Sequence, residues 1–260
     1  AFMRPKQIEM EKVTRKNEYL EEEIEEREEE MLKAIDLKNE FLRNINHEIR
    51  TPLTVMNIAV ELERNWDRFK EEDRKEYIKI LSQGSGRLMS LVNNILDFSN
   101  LASNNLELRR EEIDLSKLVE ERLEESKKLY KEEMGEGEIV AILEESVIVL
   151  GDGYYLGKLI DNLLINSIKY GKGGKVEISV RKNGEVAEYK IRDEGIGIDK
   201  SELHKIFAPF IVSSKTKTMA GGRGMGLALC KKVVEVHGGE IRAESDGVKG
   251  SLFTFRIPLA

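Results

Sequence analysis

The sequence predicts an α+β chain in several parts: a helical hairpin that forms a dimeric four-helix bundle, then an α/β sandwich with helices on one side of a mostly antiparallel sheet. Apolar residues Leu42, Ile45, Ile49, Leu53, Met56 and Val60 recur every three or four positions. Ile78, Leu81, Leu88, Leu91, Ile95 and Phe98 do so again, and each set is one helical stripe. Two such helices enclose little, so pairing of hairpins from two chains is the simplest way to cover both stripes, and a homodimer is expected. After the polar Ser103-Asn104-Asn105 the long helices give way to short alternating elements, the last with Phe253, Phe255 and Ile257 on one strand face.

Taken in order, residues 1–37 form a charged helical arm in which Val13, Leu20, Ile24, Met31 and Ile35 make a sparse coiled-coil seam between glutamate clusters. Residues 38–102 are the hairpin and 103–112 a linker. The sandwich occupies 113–260. Its expected elements are a helix over Leu115–Lys131, two short strands over Glu138–Leu150 and a helix over Tyr154–Tyr170. Strands over Val176–Val180 and Val186–Ile191 flank Asn183-Gly184, a pair that favours a hairpin turn. A helix from Gly226 to His237 stops at Gly238-Gly239, and a strand follows over Glu240–Ser245.

The 260 residues carry a net charge of −7 and a pI near 5.4, so no basic surface is at hand to displace counterions, which argues against a nucleic-acid partner. The single cysteine, Cys230, allows no internal disulfide and no cysteine-only metal site, and it points to a reducing compartment. Among Leu227, Ala228, Leu229 and Val233 it reads as packing. No apolar run approaches 18 residues, so no segment here reads as a membrane-spanning helix. The opening Ala1-Phe2-Met3 has no signal-peptide pattern, and the expectation is a cytoplasmic fragment of a longer protein.

His47 lies about 200° around its helix from both Ile45 and Ile49, at roughly 100° per residue, and so faces away from the apolar stripe. Glu48 sets a carboxylate beside it, and Pro52 removes a helix donor five residues on. A solvent-facing imidazole with an adjacent acid has the makings of a nucleophile with a base. Further along, Asn162 and Asn166 place two amides one turn apart in an otherwise apolar helix, where an unsatisfied amide is costly. They either cap backbone or, with Lys169 and Tyr170 following, serve a magnesium and phosphate site. Asp193-Glu194-Gly195-Ile196-Gly197 follows a strand, with glycines that let backbone approach a ligand and a carboxylate that can accept a hydrogen bond. Gly221-Gly222-Arg223-Gly224-Met225-Gly226 runs straight into a helix, whose N-terminal amides can hold phosphate oxygens. His204 reads as a surface residue on a helix opened by Asp199 with Glu202 three positions later, His237 as a residue favoured by a helix dipole, and Trp66 as packing.

With Phe207-Ala208-Pro209-Phe210 between the two glycine stretches, these motifs resemble those of the sensor histidine kinases of two-component signalling systems. His47-Glu48-Ile49-Arg50-Thr51-Pro52-Leu53 is similar to their phosphoacceptor motif. The later four are similar, in order, to the asparagine, first glycine, phenylalanine and second glycine boxes of their ATP-binding domain, of the GHKL or Bergerat type. The resemblance covers residues from about 38 to 260, and the arm resembles the signalling helix that usually precedes them.

The resemblance implies ATP and Mg2+ as cofactors and a response-regulator receiver domain as partner. It implies that Asn166 coordinates magnesium, that Asn162, Lys169 and Tyr170 line the nucleotide site, and that Asp193 accepts a hydrogen bond from the adenine amino group. Gly195, Gly197, Gly222, Gly224 and Gly226 would shape the pocket, and residues 211–221 would form a lid whose Ser213, Ser214, Lys215 and Lys217 suit phosphate contact. His47 would take the phosphoryl group with Glu48 fixing its tautomer, and Thr51 would orient water for dephosphorylating the partner. The chain departs from the common pattern at Arg223, where a small hydroxyl residue is frequent, and at Tyr155 and Lys158, where arginine and glutamine are frequent. An ATPase machine sharing the nucleotide fold would account for 115–260 but not for the His47 helix. A silent nucleotide-binding scaffold would leave His47, Glu48 and Asn166 without a task.

Overall fold

The computed structural model describes residues 70–260 apart from 103–107, 136, 210, 212 and 217–223, and before them 15–16, 19–21, 23–25, 27–29, 31–32, 35–36, 39, 42–43, 45–46, 49–50, 52–54 and 57–58. His47, Glu48, Thr51, Trp66, Lys217, Gly222 and Arg223 lie outside the described residues. The chain forms two compact units, Ala1–Thr51 and Pro52–Ala260. In the first, every described residue is helical, and Leu20, Ile24, Met31, Ile35 and Leu42 are exposed, so the apolar seam of the arm stands open in the single chain.

The second unit contains the long helix α1 (Glu71–Ala102). Leu91 is buried, while Ile78, Met89, Val92 and Leu96 are exposed. At its C-terminal end Leu101 and Phe98 join the core of the sandwich that follows. Strand β1 (Glu111–Asp114) begins inside the stretch expected to be linker and pairs antiparallel with β3 (Ile148–Gly151). Its residues run exposed, exposed, half-buried, half-buried, with none of the alternation that marks a strand in sequence. Asp114 then caps α2 (Leu115–Leu129), its carboxylate accepting from the amides of Ser116 and Lys117. A single turn, α3 (Lys131–Met134), leads to β2 (Ile139–Leu143).

Helix α4 (Gly153–Gly171) is capped by Asp152, whose carboxylate accepts from the amides of Tyr154 and Tyr155. Leu156, Leu159, Ile160, Leu163 and Leu164 are wholly buried beneath it. Strands β4 (Val176–Asn183) and β5 (Val186–Asp193) follow, then helix α5 (Gly226–Val236), β6 (Glu240–Glu244) and β7 (Ser251–Pro258). The five-stranded sheet runs β2-β4-β5-β7-β6, with β2 parallel to β4 and every other neighbour antiparallel. The hairpin turn sits one residue later than expected. Asn183 pairs with Val186, so Gly184 takes the first central position, with φ at 64°. Val176, Ile178 and Val180 of β4, Ala187, Tyr189 and Ile191 of β5, and Phe253, Phe255 and Ile257 of β7 all point into one core against the three helices. Tyr189 stacks on its cross-strand neighbour Phe255 at 4.8 Å between ring centroids.

Two local readings of the sequence fail. Residues 200–207 form successive turns rather than a helix. Asp199 does accept from the amide and hydroxyl of Ser201, at 2.8 and 2.6 Å, but Glu202 does not reach back to close a capping box. It accepts instead from Ser213 Oγ at 2.6 Å and the Ser214 amide at 3.0 Å. His204 is exposed as expected. His237 caps the end of α5 but is buried, and burial lowers its pKa, so it is no cation answering a helix dipole.

The outer face of the sheet carries one wholly buried acid. Glu188 on β5 receives Arg181 from β4 at 2.6 Å, Lys190 at 2.9 Å and Arg256 from β7 at 2.7 Å. Burial pushes its pKa up, but the hydrogen bonds from Lys190, Arg256 and Arg181 outweigh that and hold the carboxyl at about 2, against an ordinary 4.5. Stabilisation by the ionised group is therefore present above pH 4.5 and is lost as pH falls towards 2. Replacing Glu188 with Gln should cost about 2 kcal/mol near pH 7. In urea unfolding the gap between the two proteins should close as the pH drops through that window, and a gap independent of pH would place the stabilisation elsewhere.

Candidate functional site

Helix α4 is the spine of the site. Asn162 and Asn166 lie half-buried on one of its faces, one turn apart. The Asn162 amide nitrogen donates to the Lys158 carbonyl at 2.8 Å, so this asparagine does cap backbone within its own helix. Its oxygen faces the start of α5: a Cβ on Gly226 would come 2.7 Å from Oδ1, so only glycine lets α5 begin there with Asn162 undisturbed. Gly224 just before it has φ at 65°, the left-handed region that suits glycine. Helix α5 has no side-chain cap hydrogen bond and no acidic residue in its first turn. Among the described residues, then, no side-chain cap or first-turn acid answers its leading N–H groups and the positive end of the helix.

The other end of the site is set by Asp193, the last residue of β5. Gly195 passes directly beneath the carbonyl of Tyr170, where a Cβ would collide with backbone, and the Ile196 amide donates to that same carbonyl at 3.2 Å. Asp193 accepts from the Gly195 amide at 2.9 Å and is buried; burial raises its pKa, partly countered by amide hydrogen bonds from Gly195 and Ser251. No salt bridge reaches it among the described residues, so this is a carboxylate held by N–H donors, with acceptor capacity left for a ligand. Tyr170 is half-buried, which raises its pKa, and Lys169 is exposed on the last turn of α4. Gly197, with φ at 66°, is buried against Ser245 and Gly247.

Of the stretch expected to be a lid, Ser213, Ser214 and Lys215 are engaged with neighbouring loops. Lys215 donates to the carbonyls of Ile196 at 2.9 Å and Gly247 at 2.6 Å, which ties the first glycine loop to the β6–β7 connection. Ser213 and Ser214 are held by Glu202. These three residues therefore brace the loop at the Asp193 end. Two of the three departures from the common pattern have local explanations: Tyr155 is a core residue, and Lys158 lies over the ring of Tyr154 at 5.4 Å.

No group of three or more His, Cys, Asp or Glu side chains suited to a metal occurs among the described residues. Magnesium beside a nucleotide takes most of its ligands from phosphate and water, so the amide oxygen of the half-buried Asn166 could serve as a protein ligand. Sequence reasoning missed Asp152, Tyr154 and Asp97, which join α4 to α1; the Tyr154 hydroxyl donates to the buried Asp97 carboxylate at 3.3 Å.

Two family models match the chain: the His Kinase A phospho-acceptor domain over residues 37–104, and the histidine kinase-, DNA gyrase B- and HSP90-like ATPase over residues 151–260. The circadian input-output histidine kinase CikA of Synechococcus elongatus is 34% identical over 254 residues, which is 92% of this chain and 33% of that protein. The chain thus spans about a third of the length of that curated relative. Among solved structures, Acinetobacter baumannii histidine kinase AdeS is 26% identical with a TM-score of 0.64, over 82% of this chain and 98% of that one. Full-length ShkA, solved in complex with AMPPNP, is 26% identical with a TM-score of 0.63, over 82% of this chain and 44% of that one.

Replacing Asp193 with Asn keeps an oxygen for the Gly195 amide but presents NH2 where an acceptor stood. Affinity for an ATP analogue should fall at least tenfold, about 1.4 kcal/mol, in a calorimetric titration. Stability should hold or rise, because a buried charge has been removed. Loss of both together would make Asp193 a folding residue only.

Proposed function

Because the chain belongs to the sensor histidine kinases, as the catalytic portion of one, we propose that it binds ATP with magnesium between α4 and α5, phosphorylates itself on His47, and passes the phosphoryl group to an aspartate of a response-regulator receiver domain. One spacing supports this reading best. Asp193 lies beside Tyr170 at the C-terminal end of α4, and the uncapped start of α5 lies beside Asn162, eight residues back along the same helix. At 1.5 Å per residue the two are ~12 Å apart along the axis, about the reach of a nucleotide from base to outer phosphates. A buried acceptor at one end suits an amino-bearing base, and free helix amides at the other suit phosphate.

The chemistry follows from the groups present. A neutral imidazole on His47 attacks the γ-phosphorus in line, the new N–P bond forms as the bond to the β-phosphate bridging oxygen breaks, and ADP leaves with that electron pair. Glu48, next in sequence, holds the ring tautomer and takes up the proton that the attacked imidazole sheds. Magnesium, when bound through the phosphates and Asn166, supplies positive charge where the transferred group and leaving oxygen become more negative. The α5 amides act in the same sense from the protein side. A nitrogen–phosphorus bond is itself a good donor, so an aspartate carboxylate on a docked receiver domain can accept the group. Pairing of two hairpins covers the open apolar residues of α1 and completes the dimer.

Incubation with γ-labelled ATP tests the assignment: label on the protein should be labile to acid and stable to base, as expected of phosphohistidine, and His47→Gln should abolish it while analogue affinity stays within about twofold, a difference of about 0.4 kcal/mol. Stable labelling of that variant at the wild-type level would refute the acceptor.

Thr51 follows His47 by one helical turn, so its hydroxyl can hold a water beside an aspartyl phosphate docked at the histidine. Attack on ATP needs no such water. Thr51→Ala should keep autophosphorylation within about tenfold, a barrier change of roughly 1.4 kcal/mol, and slow dephosphorylation of the regulator much more. Equal losses in the two rates, measured on one preparation, would reduce Thr51 to a support for the helix ahead of Pro52.

A further inference from the structure

His237 is the one imidazole of the described residues that lies inside the core, and the nucleotide site makes no use of it. Its ring spans two elements. Nδ1 lies 2.7 Å from the Val233 carbonyl in the last turn of α5, and Nε2 lies 3.0 Å from the backbone amide of Asp152. A carbonyl only accepts and an amide N–H only donates, so Nδ1 carries the proton, Nε2 is bare, and the ring is neutral in one fixed tautomer. The fit is tight, since a Cβ on Gly151 would come 2.8 Å from the ring.

Asp152 is where the parts of the molecule meet. Its carboxylate caps α4 through the amides of Tyr154 and Tyr155, and its second oxygen accepts from the amide of Arg109, in the connection arriving from α1, at 3.0 Å. Arg110 in that same connection donates to the Val236 carbonyl at the end of α5 at 3.1 Å. At the second residue of α4, Tyr154 donates to Asp97 on α1. Helix α5 thus begins at the glycine loop of the nucleotide site and ends at a ring bonded to the residue that seats both α4 and the connection to α1. A displacement of α5 by phosphates at its N-terminus has a bonded route to α1: α5, His237, Asp152, then Tyr154 to Asp97.

We propose that His237 is a positioning residue that couples nucleotide occupancy at α5 to the seating of the ATP-binding domain on α1, acting through its acceptor contact with the Asp152 amide. The proposal rests on the nucleotide site described above, and its novelty lies in the joint at the far end of α5. Coupling of this kind is a difference between two states and is read as a response of α1 to the nucleotide.

The test follows hydrogen exchange of residues 92–101 in α1 and 152–158 in α4, with and without a non-hydrolysable ATP analogue, alongside calorimetric affinity for that analogue. Three substitutions separate the contacts. His237→Gln places an oxygen three bonds beyond Cβ, where Nε2 stood, and keeps an acceptor for Asp152. His237→Asn keeps a donor for Val233 and loses that acceptor. Gly151→Ala crowds the ring from the other side without touching the histidine. The wild type and the Gln variant should show an analogue-dependent change in α1 exchange. The Asn and Gly151→Ala variants should bind the analogue within threefold of wild type and show no such change. Combining Tyr154→Phe with His237→Asn should slow autophosphorylation no more than the worse single change does, because both break one route. An α1 response that survives in the Asn variant overturns the coupling role. So does a Gln variant that behaves like Asn, or an Asn variant whose analogue affinity collapses, since either marks His237 as packing. A wild-type protein that fails to bind the analogue at all refutes the nucleotide site itself, which the intact binding and missing α1 response of a failed coupling would not.

Discussion

The passage of Gly195 beneath the carbonyl of Tyr170 is the contact on which the rest of the site depends. Any side chain at 195 would strike main chain, and the neighbouring Gly250 sits under the Asp193 carbonyl in the same way. These two approaches clamp the end of β5 against the last turn of α4 and against the start of β7. The Gly250 amide donates to the Gly195 carbonyl at 2.7 Å, which fastens the loop from its other side. With backbone held on two sides, the end of β5 that carries Asp193 is fixed against the last turn of the helix that carries Asn162 and Asn166. Backbone contacts of this kind define a position more sharply than side-chain packing, because main chain has no rotamers to yield.

Much of this was legible in the sequence because its cause is local. The alternation of Phe253, Phe255 and Ile257 announces a half-buried strand, and the apolar spacing from Leu156 to Leu164 announces a buried helix face. The glycine stretches are legible for the same reason, since each marks backbone that must turn or touch. What escaped was set by partners far away in the chain. Strand β1 has no pattern of its own and exists because β3 offers an edge. Glu202 fits a capping motif, yet Ser213 and Ser214, more than ten residues on, compete for its carboxylate. His237 carries a sequence signature of a helix end and a structural identity set by Asp152, 85 residues away. Lys215 suits phosphate contact by the family resemblance, while in this structure two carbonyls from separate loops hold its ammonium, which no sequence pattern announces.

The sheet divides its labour by face. Its inner side is a continuous apolar layer under three helices, and its outer side is organised around Glu188, whose three cations come from β4, β5 and β7. A carboxylate bridging adjacent strands penalises a register slip, because moving any strand by one residue turns its cation to the wrong face. The ion-pair cluster therefore specifies which residues lie opposite one another as much as it stabilises the fold.

Helix α1 keeps Ile78, Met89, Val92 and Leu96 open to water, while Phe98 and Leu101 at its C-terminal end join the core of the sandwich. For such a helix mass action sets stability: anything that covers those side chains shifts the folding equilibrium by an amount that grows with its concentration. With the proposed dimer as the cover, dilution acts on α1 as a denaturant acts on an ordinary domain, while the sandwich closes its own core within one chain. The two halves of the molecule would then answer to different thermodynamic variables, one to how crowded the protein is with its own kind and the other to temperature, solvent and whatever fills its own site.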